Sequence, residues 1–140
     1  MTAEESTTPD VPELGRQMAD ALSRWDLDAV MSFYAPGAVQ EMLDGVGTFE
    51  GVDAIRRFFE EWQASFEDLL TEVEEVVDFR EGVGFASYRE VGRPVGGAGR
   101  VEHRRAIVIL WVDGKITRAK VYLDPNEARA VAERLAEERG

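Results

Sequence analysis

The sequence predicts an α+β domain: a curved antiparallel sheet wrapped on one face by N-terminal helices. Three observations predict it. Helical periodicity dominates the chain as far as Phe66, strand-like runs follow one another from Leu69 to Tyr122, and the longest run meets its successor at Asp113-Gly114, a strong hairpin-turn signal. Helices first and consecutive strands afterwards indicate a meander, and a long curved sheet with helices on one side encloses a pocket at its open end.

The elements follow in order. Residues 1–10 carry Ser, Thr, Pro and acidic residues with almost nothing apolar, which predicts a disordered lead-in to a single domain over 11–140. Val11, Leu14, Met18, Ala21, Leu22 and Trp25 fall on one helical face, with Pro12 suited to the first turn. Asp26 suits the N-cap of a second helix bearing Leu27, Val30, Met31, Phe33 and Tyr34, halted by Pro36-Gly37. Ala38 to Leu43 reads as a strand and Asp44-Gly45 as a turn. A third helix from Val52 presents Ile55, Phe58, Phe59, Trp62 and Phe66 on one aromatic face.

Leu69 to Phe79 and Val83 to Val91 read as two further strands, with a bulge expected where Glu74-Glu75 breaks the alternation. Gly92 to Gly99 is too rich in Gly and Pro for a strand interior and is expected to be a loop. The long hairpin from Arg100 to Asp124 follows, and a last helix carries Ala128, Val131, Ala132 and Leu135 on one face. Because the helices cover one face of the sheet, apolar residues on the other are expected to need a partner, which predicts a homodimer through the sheet.

Composition narrows the chemistry. The chain of 140 residues needs no metal or disulfide to fold, and having no cysteine it has no thiolate ligand or thiol nucleophile. His103 is the only histidine, so multi-histidine metal sites are excluded and no cofactor is implied. Sixteen basic against twenty-eight acidic residues leave a net charge of −12, which repels phosphate backbones and anionic membrane surfaces. No nucleic acid or membrane partner is expected. The first residues lack the pattern of a signal peptide and no apolar run approaches a membrane span, so the expectation is a soluble, cytoplasmic protein.

The segments WDLDAVMSFYAPGAVQEML, TFEGVDAIRRFFEEW and VDGKITRAKVYLD, in that order, resemble the nuclear transport factor 2-like superfamily, especially its SnoaL-like, polyketide cyclase-like branch. The resemblance covers about residues 11 to 135 and implies a cone-shaped, cystatin-like α+β barrel, homodimers paired through the sheet and a pocket under the first helix. Its branches differ in chemistry. Continuing the register of the ketosteroid isomerases puts their general base at Met42, their oxyanion tyrosine at Met18 and their oxyanion aspartate near Ile107. A thioether neither accepts that proton nor donates that hydrogen bond, so isomerase chemistry of this type is excluded. The epoxide-hydrolase pattern finds Asp124, but its Arg-x-Asp pair meets only Tyr88-Arg89-Glu90, where Arg89 and Glu90 point to opposite faces. The cyclase branch implies Asp124 as a base beside a carbonyl, assisted by His103.

Each candidate has an ordinary alternative. Asp124 begins Asp-Pro-x-Glu, a capping-box-like helix start in which its carboxylate accepts backbone hydrogen bonds. His103 shares a strand face with Arg105, Ile107, Ile109 and Trp111, and lies in the pocket if that face is concave; among Glu102, Arg104 and Arg105 it can equally join a surface ion-pair cluster. Met18, Tyr34, Met42, Phe58, Trp62, Tyr88, Ile107 and Tyr122 are the expected pocket lining, while aromatic residues at helical spacing also serve as core. The function expected is binding of a small apolar organic molecule, with a cofactor-independent proton transfer at Asp124. The alternatives are a non-catalytic, dimeric small-ligand binder and a structural dimerisation module.

Overall fold

The computed structural model describes residues 11–42 and 46–140. The lead-in at 1–10 and the turn expected at Asp44-Gly45 lie outside the described residues. The elements are α1 (Val11–Ser23), α2 (Leu27–Met31), β1 (Tyr34–Met42), β2 (Gly47–Glu50), α3 (Val52–Ala64), β3 (Phe66–Asp78), β4 (Val83–Pro94), β5 (Val101–Val112), β6 (Lys115–Tyr122) and α4 (Pro125–Arg139). The strands form one six-stranded, curved and unclosed sheet in the order β2-β1-β6-β5-β4-β3.

The hairpin organises this sheet as expected. Asp113 and Gly114 both take positive φ, 52° and 79°, the pair of left-handed residues that a tight turn of matching twist requires. Antiparallel pairing runs from β3 through β6, and the shift between Val73 and Glu75 is the bulge foreseen at the doubled glutamate. It lets Glu74 and Glu75 both face outward, where Arg104 and Arg129 meet them.

Four expectations need correction. The second helix stops at Met31, and Tyr34 is the first residue of β1: Ile116 N–H donates to the Phe33 carbonyl at 2.7 Å, so the hairpin captures this segment before another helical turn forms. The sheet is mixed, because β1 pairs with β6 in parallel. Strand direction between segments so far apart is not encoded in side-chain alternation. The loop expected from Gly92 is still strand to Pro94, which pairs with Phe66 at the sheet end, where a missing N–H is tolerated.

The fourth correction concerns layers. Helices α1, α2 and α3 cover the concave face, over a core of Met18, Ala21, Val30, Ile55, Ile109 and Trp111. α4 covers part of the opposite face, where Ala128 and Ala132 pack on Val83, Phe85, Ala106, Val108 and Tyr122. The premise that helices cover one face alone therefore fails, since α4 covers part of the apolar outer face from within the chain. Beyond α4 that face carries ion pairs beside the exposed Leu70 and Val112: Arg89 meets Glu102 at 2.8 Å and Glu72 at 3.3 Å, and Arg104 meets Glu74 at 3.0 Å.

Candidate functional site

Between the concave sheet face and α1 and α3 lies a cavity of about 70 Å³. Alternation along each strand builds its floor: Gln40 and Met42 from β1, Val121 from β6, Arg105, Ile107 and Ile109 from β5, Ala86, Tyr88 and Glu90 from β4, and Val73 from β3. The roof is Met18 and Leu22 from α1, Trp25 after it, and Phe58, Phe59 and Trp62 from α3. Gly15 lets α1 approach closely, as a Cβ there would stand 3.2 Å from Val76 Cγ1.

The lining is largely apolar, and the carboxylate of Glu90, 6% exposed, stands out in it. Oε1 accepts from Trp62 Nε1 at 3.3 Å and lies 2.9 Å from His103 Nε2; Oε2 accepts from Thr71 Oγ1 at 3.2 Å. With Glu90 ionised, His103 Nε2 carries the proton between them. A carboxylate offers about four lone-pair positions, so these three partners leave one for a ligand. Thr71 Oγ1 in turn accepts from Trp25 Nε1 at 3.0 Å, which ties α1 to the same network. Trp25 has φ of 53°, at the position after a helix where glycine is usual. The helix end is closed by Trp25 N–H to the Leu22 carbonyl at 2.9 Å and Asp26 N–H to the Ala21 carbonyl at 3.0 Å. This closure turns the indole towards Thr71, backbone strain that a side-chain contact at the site offsets.

At the other side of the cavity Tyr34 O–H donates to Gln40 Oε1 at 2.9 Å. Burial pushes the Tyr34 phenol well above its ordinary value of 10.0, and burial likewise raises Tyr122. The sign follows: above about pH 10 the unfolded chain releases a proton that folded Tyr34 retains, so stability is full below that pH and falls as pH rises beyond it. Urea midpoints between pH 9 and 11 should decline less steeply in Tyr34→Phe, with Tyr122 contributing to the slope in the same direction.

The structure gathers Met18, Tyr34, Met42, Phe58, Trp62, Tyr88 and Ile107 around this one cavity. Tyr122 lies elsewhere, on the outer face against Ala128 and Ala132, because it is the odd-numbered Val121 that points inward. His103 is on the concave face but stands behind Glu90, bonded to it. Asp124 is on neither side of the cavity. It is exposed and caps α4, accepting from Asn126 N–H at 2.9 Å. Of the two roles the sequence offered Asp124, base and helix cap, the structure shows the cap. Asp124→Ala should cost about 1 kcal/mol of stability and Asp124→Asn almost nothing, both without effect on ligand binding; thermal melts and a binding titration check this.

Sequence reasoning weighed Glu90 only beside Arg89, named Trp25 only on the apolar face of the first helix, and did not name Gln40 or Thr71. The signal for Glu90 was present, since it lies two residues beyond Tyr88 on the same strand face. Among the described residues no group of three or more His, Asp or Glu side chains is placed to hold a metal ion, and no helix is long and apolar enough to cross a membrane.

Residues 15–119 match the family model of the SnoaL-like domain. The chain belongs to the SnoaL-like family. Solved structures agree on the fold. An NTF2-like protein from Burkholderia thailandensis superposes with a TM-score of 0.73 at 22% identity, over 86% of this chain and 94% of that one. A protein with a ketosteroid isomerase-like fold from Catenulispora acidiphila, in complex with trimethylamine, gives 0.69 at 16% identity over 79% and 85% of the two chains. A Sinorhizobium meliloti protein provisionally assigned as a polyketide cyclase gives 0.64 at 25% identity over 79% and 94%. No curated protein matches. This SnoaL-like domain therefore has the NTF2-like architecture, with Met18 and Met42 at its cavity wall and Glu90 within it.

Proposed function

We propose that this SnoaL-like domain binds a compact, largely apolar organic molecule in the cavity and moves a proton on it with Glu90, while His103, Thr71 and Trp62 position the carboxylate. The observation that carries the reading is a buried carboxylate with one open acceptor position in a largely apolar cavity. Cofactor-independent proton transfer next to a carbonyl needs little more: a positioned base, exclusion of water and a donor for the oxygen that becomes negative. The C–H bond breaks, its electron pair moves towards the carbonyl oxygen, and an O–H bond forms on Glu90. Asp124 has no part in this.

Size sets the ligand class. A cavity of about 150 Å³ admits benzene, and this one is smaller at about 70 Å³. Ligands of a few heavy atoms fit as it stands, and somewhat larger ones require the flexible Met18 and Met42 side chains to move. The trimethylamine complex of the Catenulispora acidiphila protein supports a ligand of compact size.

The test is solvent exchange with cyclobutanone as probe. In D₂O the protein should speed deuterium incorporation at the α-carbons. Saturable cyclobutanone binding without exchange would favour the second reading, a non-catalytic binder, which the structural ties from Glu90 to α1, α3 and β3 support. A homodimer is also part of the proposal, on the part of the outer face that α4 leaves open. Arg89 and Arg104 alternate there with Glu72, Glu74 and Glu102, a row of both signs that a two-fold axis can pair with itself. Such a dimer should weaken from low to high salt; sedimentation showing only monomer at micromolar concentration and low salt would remove it.

A further inference from the structure

Gln40 is 1% exposed, yet it lines the cavity. Its Oε1 accepts from the Tyr34 hydroxyl at 2.9 Å. The structure thus turns Oε1 to Tyr34 and leaves Nε2 as the other end of the carboxamide. Nε2, with two hydrogens, forms no hydrogen bond among the described residues, and no buried side-chain polar atom there is both sealed from solvent-sized space and unpartnered. Nε2 therefore opens to the cavity, as the alternation that places Gln40 and Met42 inward and Glu41 outward requires. A primary amide held at such depth without an acceptor is costly, and a ligand oxygen removes that cost.

We propose that Gln40 Nε2, oriented by Tyr34, is the hydrogen-bond donor that anchors the oxygen acceptor of a small carbonyl compound, and so sets the domain's preference for oxygenated over hydrocarbon ligands. The inference rests on the reading of the cavity as a ligand site. Gln40 and Glu90 reach that cavity from β1 and β4, strands separated by β6 and β5. A ligand is thus met by a donor on one wall and an acceptor on another, with aromatic and thioether groups between. Gln40 is the contacting residue. Tyr34 acts through it, as a positioning residue.

The experiment compares cyclobutanone with methylenecyclobutane, which has the same shape and no acceptor, in the full-length protein. Affinities are measured by tryptophan fluorescence, with each ligand referred to its own transfer from cyclohexane. Wild type should favour the ketone by about tenfold or more, the worth of one well-made hydrogen bond to an otherwise unpaired donor. Gln40→Leu and Gln40→Met should bring the two ligands near parity by weakening the ketone alone. The infrared carbonyl frequency of bound cyclobutanone should be lowered in wild type, unshifted in both Gln40 variants and intermediate in Tyr34→Phe. Equal weakening of both ligands would reduce Gln40 to a packing role and overturn the proposal, as would an unchanged carbonyl frequency in a folded Gln40 variant. If methylenecyclobutane binds and the ketone gains nothing in wild type, the anchor fails while the cavity reading stands. If neither ligand binds wild type, both fall.

Discussion

Glu90→Gln should leave a folded protein that still binds cyclobutanone and has lost its α-deuterium exchange by about 100-fold or more, because an amide cannot accept the proton and general-base catalysis contributes roughly that much. The substitution keeps size and shape, so Trp62, Thr71 and His103 retain a partner at each oxygen or nitrogen position. Replacing charge-assisted hydrogen bonds by neutral ones should cost about 1 kcal/mol of stability. His103→Gln, which keeps a donor near Oε1, should fall between wild type and Glu90→Gln in exchange rate. The measurement is proton NMR of the probe in D₂O against thermal melts of the same samples. A Glu90→Gln protein that exchanges at the wild-type rate would remove Glu90 as the base. One that neither folds nor binds would show that the network Trp25–Thr71–Glu90–Trp62 is chiefly structural.

The largest stability effect is expected on the other face of the sheet. Phe85 is 2% exposed, meets Phe79 edge-to-face with ring centroids 6.2 Å apart, and has Arg129 Cζ 4.7 Å from its ring. It therefore joins β4 to α4 through apolar packing and a cation–π contact. Phe85→Ala removes both and leaves a cavity, with an expected loss of about 3–5 kcal/mol in urea unfolding. Leu70→Ala is the control: at 50% exposure it should change stability by no more than about 0.5 kcal/mol. Amide exchange should accelerate most in α4, since the rest of the core lies across the sheet. A loss below about 1 kcal/mol would mean that α4 is held by other contacts, such as Arg139 to the Glu81 carbonyl at 3.0 Å.

Local chemistry made much of this molecule legible. Asp113-Gly114 has the turn that its φ preferences demand, Asp26 and Asp124 cap helices because their carboxylates accept the first free N–H groups, and helical periodicity brought Met18, Phe58 and Trp62 to one cavity wall. These features depend on neighbours within a few residues, so a single chain carries them. Even the bulge at Glu74 was readable, as a break in a two-residue period.

What the chain alone left open depends on contacts between distant segments. Asp124 sits at the end of the last strand in sequence, but whether that end opens on the cavity or on solvent is set by the path of α4, which crosses to the outer face because Ala128 and Ala132 are small enough to lie flat on Val83, Phe85 and Val108. Tyr122 follows it out, by the parity that turns Val121 inward. Glu90 entered the sequence reading only as the neighbour of Arg89 on the opposite strand face, and only its pairing with His103 across the β4–β5 ladder, with Thr71 and the Trp62 indole bonded to it, makes a partnered buried carboxylate. Charge in water carries no address. Burial, which turns a glutamate into a candidate base and a glutamine into a candidate anchor, exists only once sheet and helices have met.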